Sequence, residues 1–232
     1  MRYHDIDRGT VLPPAPPGYR YLDFLGGSRD LRCYLVPADT PRCVFLRRHR
    51  DVLDEALQPV YDHRGVCVRQ DASHALPGFY IVGLDRQYPA LDLMDEDTHL
   101  RVALVLRAVR AGMRAALGID YVHVYQEEKP DPSCNVHYWL MPIVEPCGDA
   151  TTVARLDVGR YLAAFRFPDH RATIRQYNRR LRRHLAAADL AGRDDALAAR
   201  LAAPAGPGPA AARAPARWTC TWTPTRDLRA AG

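Results

Sequence analysis

The sequence predicts an α+β domain: an antiparallel sheet with one long helix packed on it, followed by a C-terminal helical extension. Three observations predict it. Short stretches at 66–71, 79–82, 121–126 and 136–143 carry the β-branched, aromatic or alternating patterns of strands bounded by turn residues. Between the second and third lies 97–117, with apolar residues at 100, 103, 104, 106, 109, 113 and 117, the spacing of an amphipathic helix. After Pro146 the composition changes, and 157–165, 169–187 and 194–202 read as helices.

Taken in chain order, residues 9–18 hold four prolines and cannot form regular helix, so 1–30 is read as a proline-rich N-terminal arm. Residues 31–36 and 42–47, separated by Pro-Ala-Asp-Thr-Pro, read as a hairpin. Residues 51–60 open on Asp51 and show a short helical pattern. The long helix is preceded by Asp95, Glu96 and Asp97, which suit the positive end of its dipole, and closed by Gly118. These elements place the α+β domain at 31–146, the helical extension at 147–202, and a Pro/Ala-rich linker with a tryptophan-containing tail at 203–232. Trp218 and Trp222 in that tail are expected to pack on this chain or on a partner subunit.

Composition narrows the function. Of 232 residues, 47% are apolar, enough to fill a core, yet no apolar run approaches the roughly 20 residues of a membrane span. The first residues lack the apolar core of a secretion signal, so a cytoplasmic protein is expected. Six scattered cysteines form no CxxC pair, which argues for reduced thiols and against a zinc ribbon. No HExxH, GxxxxGK[ST] or GxGxxG motif occurs, and neither metal nor cofactor is expected. The adjacent Glu127 and Glu128 diverge on an extended chain, which disfavours a two-carboxylate glycosidase. The net charge of +5 is carried almost wholly by arginine. Arg171, Arg175, Arg179, Arg182 and Arg183 recur at helical spacing; a solvated helix face is favoured there over a nucleic-acid surface, because no aromatic residues interleave with them.

The stretch that carries chemistry is 126–142, Gln-Glu-Glu-Lys-Pro-Asp-Pro-Ser-Cys-Asn-Val-His-Tyr-Trp-Leu-Met-Pro. Alternation sets Asn135, His137, Trp139 and Met141 on one face of a strand and Val136, Tyr138 and Leu140 on the other. An imidazole so placed beside a polar loop serves as a nucleophile or general base; the plainer reading is a core histidine bonded to a carbonyl. Cys134 is near in sequence, but residues three apart on a strand face opposite ways.

With the order of elements, this stretch resembles the histidine triad (HIT) superfamily. Ala75-Leu-Pro-Gly-Phe-Tyr-Ile-Val resembles its Pro-Gly-His-x-Leu-Val strand, and Asp92-Leu-Met-Asp-Glu-Asp its approach to the long helix. Asn135-Val-His-Tyr-Trp-Leu-Met-Pro stands where the family carries three alternating histidines before a proline. The match spans roughly 60–145. His137 holds the middle position, the family's nucleophile, whereas Asn135 and Trp139 replace the other two histidines.

The resemblance implies a hydrolase or nucleotidyltransferase that attacks a nucleoside-monophosphate conjugate through a covalent nucleotidyl-His137. The scissile bond is then a phosphoanhydride, phosphoester or phosphoramidate. Asn135 would orient the ring through its backbone carbonyl, and Ser133, in a shortened loop, would face the leaving group. Gln126, Glu127 and Trp139 would contact substrate, as would Gln87, which falls near where many members carry another histidine. Related galactose-1-phosphate uridylyltransferases use Gln at the position of Trp139. The resemblance also implies a homodimer formed around the long helix. Two other readings stay open: a degenerate module that binds a nucleotide or partner without turnover, and an enzyme using His137 as general acid/base on a non-nucleotide metabolite.

Overall fold

The computed structural model describes residues 2–5, 12–25, 32–40, 42–50, 53–128, 136–143 and 170–203. In chain order the elements are β1 (Arg2–Asp5), β2 (Tyr19–Leu22), β3 (Arg32–Pro37), α1 (Arg42–Arg48), β4 (Tyr61–His63), β5 (Val66–Gln70), β6 (Tyr80–Leu84), α2 (Glu96–Leu117), β7 (Val122–Glu127), β8 (His137–Pro142), α3 (Arg171–Ala187) and α4 (Leu190–Ala202). The fold class is α+β, as read from the sequence. The expected helix at 157–165 and the 203–232 tail lie outside the described residues, apart from Ala203.

The main sheet has five antiparallel strands in the order β4-β5-β6-β8-β7. Arg64 and Gly65 both take positive φ between β4 and β5, the geometry of a tight hairpin turn that follows the strand twist. Between β5 and β6, Leu76-Pro77-Gly78-Phe79 closes a turn in which the Phe79 amide donates to the Leu76 carbonyl at 3.1 Å. Gly78 sits at φ +82°, and a Cβ there would come within 2.6 Å of Ile119, so both backbone and packing demand glycine. The fully buried Gln70 anchors this loop, donating to the Leu76 carbonyl at 2.7 Å and accepting from the Gly78 amide at 3.2 Å.

Helix α2 starts at Asp95, whose side chain accepts from the Thr98 amide at 2.8 Å, and ends at Gly118. Its buried Val102, Val105, Val109 and Met113 recur every three or four residues and pack on Val66, Val68, Tyr80, Val82 and Leu140 of the sheet. Helices α3 and α4 also pack against α2. The approach to α3 is close at Gly112, where a Cβ would stand 2.6 Å from Leu181 and 2.9 Å from the His184 ring.

The arginine-rich face of α3 is chiefly an internal fastening. Arg175 Nε donates to Asp54 at 2.9 Å, Arg179 to Glu55 at 3.0 Å and Arg182 to the Pro59 carbonyl at 3.0 Å. Buried Asn178 on the same helix donates to the Ala56 carbonyl at 3.1 Å and accepts from Tyr80 Oη at 3.2 Å. Burial pushes the Asp54 carboxyl up, but the Arg175 hydrogen bond, the Ala56 amide and the Arg175 charge together outweigh it, leaving the group below its ordinary value.

A second, three-stranded antiparallel sheet runs β1-β3-β2. Its Leu22, Tyr34 and Val36 bury with Phe45 and Leu46 of α1, with Ala72 and Ala75, and with Ile174 of α3. The expected hairpin of 31–36 with 42–47 is therefore corrected: the second piece is helix α1. Both edges of β3 are already taken by β1 and β2, and a short apolar run such as Val44-Phe45-Leu46 does not distinguish strand from helix by itself. The expected helix at 51–60 is corrected too, since 53–60 forms turns. Asp54 folds back to accept from the Ala56 amide at 2.8 Å, competing with helix geometry.

Candidate active site

Strand β8 lies inside the main sheet between β6 and β7. Its alternation is the one the sequence predicts: Tyr138 and Leu140 join the core beneath α2, while Trp139 and Met141 turn to the opposite face and pack with Leu76, Phe79 and Tyr125. His137 shares the parity of Trp139 and so projects on the face away from α2. Pairing of β6 with β8 ends at Val82 opposite Tyr138, and Gly83, the next residue of β6, shares the face of Ile81, away from α2. A Cβ on Gly83 would meet nothing within 4 Å. Among the described residues, none covers the sheet surface at Gly83.

On the other side of His137 stands β7, with Glu127 as its register partner. Glu127 Oε2 lies 2.8 Å from His137 Nε2, the side chains being 32% and 18% exposed. Along β8, the Trp139 and His137 rings are 6.3 Å apart, and Phe79 meets Trp139 edge-on at 5.4 Å. The Trp139 indole N–H is buried without a hydrogen-bond partner among the described residues. Such a donor suits an acceptor oxygen of a ligand.

Other expected site residues fall differently. Gln126 has the opposite parity on β7, is exposed, and donates to Glu128 at 2.9 Å; Glu128 in turn accepts from the Leu91 amide at 2.9 Å. Gln87 is exposed after β6, beside Tyr88, whose carbonyl accepts from the Val136 amide at 2.8 Å. Ser133 and Asn135 lie outside the described residues, as does Cys134. The structure thus brings His137, Glu127 and Trp139 together and turns Gln126 to the other side of the sheet.

A second imidazole borders this face. His74 Nδ1 is 2.8 Å from the buried Asp71 carboxylate, which also accepts from the amides of Ser73 at 2.9 Å and His74 at 2.7 Å. The His74 ring packs 5.9 Å from Phe79. Sequence reasoning missed this pair, although the Asp-x-Ser-His spacing is a turn signature in which a short acidic side chain caps the amides that follow.

Burial raises the Cys67 thiol to about 11 and the Cys33 thiol likewise to about 11, so neither is a thiolate nucleophile near neutral pH. Tyr138 is also raised, by burial first and then by the charge of Glu128. Among the described residues no cluster of three or more His, Cys, Asp or Glu side chains could hold a metal ion, and no helix is long and apolar enough to cross a membrane.

No protein-family model matches the sequence, and no curated protein matches it. Solved structures do. A HIT-like protein involved in cell-cycle regulation from Bartonella henselae, solved with an unknown ligand, is 16% identical, with a TM-score of 0.42 over 61% of this chain and 95% of its own. The chain is similar to histidine triad proteins. A zinc-bound histidine triad family protein from Mycobacterium smegmatis is 19% identical, with a TM-score of 0.41 over 64% of this chain and 96% of its own. A hypothetical histidine triad nucleotide-binding protein from Sulfolobus tokodaii strain7 is 16% identical, with a TM-score of 0.40 over 56% of this chain and 83% of its own.

Proposed function

We propose that this protein is a HIT-like nucleotide hydrolase or nucleotidyltransferase whose nucleophile is His137. The observation that carries the reading is the position of that imidazole: on β8 between β6 and β7, on the face away from α2, where no described residue stands within 4 Å of a Cβ placed on the nearby Gly83. A nucleoside-monophosphate conjugate lying along this surface places its α-phosphorus against the ring. The imidazole attacks in line and the leaving group departs. Water or another acceptor then resolves the nucleotidyl-histidine. Trp139 supplies one N–H to the phosphate oxygens as their charge develops. Ser133, Asn135 and Gln87 are carried forward with the roles the resemblance implies.

One observation favours a second reading. A carboxylate 2.8 Å from a histidine is also the arrangement of a general base, so the Glu127–His137 pair supports acid/base chemistry on a non-nucleotide metabolite. A homodimer belongs to the first reading. Because α3 and α4 of the same chain pack on α2, the two-fold contact has less of that helix available than in a chain without them. Light scattering giving twice the chain mass supports the dimer, and the monomer mass removes it.

The deciding experiment is the intact mass of wild type and His137→Ala after brief exposure to dinucleoside polyphosphates, nucleoside phosphoramidates and nucleotide sugars. A nucleoside-monophosphate adduct in wild type alone is expected. Turnover that survives in His137→Ala removes the nucleophile, and no adduct with any conjugate moves the assignment to the second reading.

A further inference from the structure

A cavity of about 590 Å³ lies beside the three-stranded sheet, lined from within 16–19, 35–40 and 45–49 and by no residue of the main sheet. Its volume is that of a pocket for a small organic molecule, about 300–1,000 Å³. Much of the wall is apolar. Val36 and Phe45 reach it from the buried cluster behind, and Leu35 and Pro37 add surface that is half-buried or exposed. Aromatic rings come from both sides of the chain segment: Tyr19 is 49% exposed, and the His49 ring lies 4.6 Å from that of Phe45. The charge at this cavity has one sign. Arg48 is exposed, and no described residue pairs with its guanidinium by hydrogen bond or ion pair. A second guanidinium, that of Arg20, donates to the carbonyl of the lining residue Thr40 at 2.6 Å. Among the described residues the lining includes no carboxylate.

We propose that this cavity is a binding site, separate from His137, for a small molecule with a flat aromatic body and one anionic group. The two halves of that ligand answer the two halves of the wall. An aromatic body covers apolar surface and packs on the rings of Tyr19 and Phe45. The anionic group meets Arg48, whose planar guanidinium offers two parallel N–H donors to the oxygens of a carboxylate, sulfonate or phosphate. Charge also ranks the other occupants. The 217–223 segment near the C-terminus has two tryptophans to offer an apolar cavity, but it carries Arg217 and no acidic residue, and Arg226 follows. It would bring like charge to Arg48. A second copy of the chain would bring the same basic surface to meet itself.

The test titrates the full chain with anilinonaphthalene sulfonate, whose emission rises in apolar surroundings, and with the uncharged phenylnaphthylamine of the same ring system. One saturable site is expected for the sulfonate, with the uncharged compound bound on the order of 10-fold more weakly. Arg48→Gln should weaken the sulfonate on the order of 10-fold and leave the uncharged compound as it was, with an unchanged thermal melt because Arg48 is exposed. Leu35→Trp places an indole in the cavity and should remove both compounds, a cooperative melt showing that the fold is kept. His137→Ala should bind both as wild type does. No saturable binding, equal affinity for the two compounds, or an unchanged sulfonate affinity in Arg48→Gln overturns the proposal. Loss of binding in His137→Ala places the probe on the main sheet and overturns it as well. A gain on the order of 10-fold in the full chain carrying Trp218→Ala and Trp222→Ala makes the C-terminal segment the occupant, and a dimer that the sulfonate converts to monomer in light scattering makes it a second copy; either result sinks the small-molecule site.

Discussion

Arg101 of α2 and Asp194 of α4 form a two-pronged pair, with Nε 2.6 Å from Oδ1 and the terminal NH2 2.9 Å from Oδ2. Asp194 is fully buried and also accepts from Tyr61 Oη at 3.0 Å, so one carboxylate ties α4 to both α2 and β4. Burial, and then the charge of Asp194, push the Tyr61 phenol upward, so it remains a donor.

Breaking this pair from one side strands the other. Asp194→Ala leaves the Arg101 guanidinium, 11% exposed, without its carboxylate and is expected to cost about 3–5 kcal/mol. Urea unfolding measures it. A loss under about 1 kcal/mol would mean that water replaces the carboxylate.

Asp95 links pH to stability. The Tyr88 hydroxyl first, and the Thr98 amide second, hold its carboxyl down to about 2. A lowered folded-state value stabilises the fold above the unfolded carboxyl's pKa of about 4, and the gain is lost as pH falls through about 2. Asp95→Ala is expected to cost about 1 kcal/mol at neutral pH, the usual worth of a helix N-cap. Thermal melts of the variant should converge with wild type as pH drops from 4 towards 2.

Gly78→Ala tests the loop that supports the site. The left-handed backbone and the 2.6 Å approach to Ile119 both oppose a methyl group, and the expected cost is about 1–3 kcal/mol by thermal or urea unfolding. Phe79 is the next residue and packs on Trp139, so adduct formation at His137 should fall as well.

Trp139→Phe keeps an aromatic ring against Phe79 and removes the indole N–H. If that N–H serves the phosphate, adduct formation should fall on the order of 100-fold with stability nearly kept. An unchanged rate would assign Trp139 to packing alone.

The buried thiols offer a direct chemical check. With both raised to about 11, Cys33 and Cys67 should resist iodoacetamide at pH 8 until the protein unfolds, as peptide mapping of the folded and denatured chain would show.

The strongest periodic signals in the sequence survive in the structure. The 97–117 pattern became α2, and the parity of β8, with His137 and Trp139 on one face and Tyr138 and Leu140 on the other, is as read. Such features depend on local spacing, which burial of one face enforces. Elements with weak local signals were misread. Residues 42–47 have β-prone side chains, yet β3 has no edge to offer them, and 51–60 has a capping residue, yet Asp54 folds back on Ala56.

His137, the parity of its strand and the turn chemistry of Leu76-Pro77-Gly78 were determined by the sequence alone, because alternation and positive-φ glycine are properties of adjacent residues. Only the tertiary structure decided that Glu127 faces His137 while Gln126 does not, since that depends on the register of β7 against β8. One residue of slip would exchange the two. It likewise decided that the arginines of α3 meet Asp54, Glu55 and Pro59, more than a hundred residues earlier in the chain. Charge spacing along a helix describes its face, and only packing determines what that face meets.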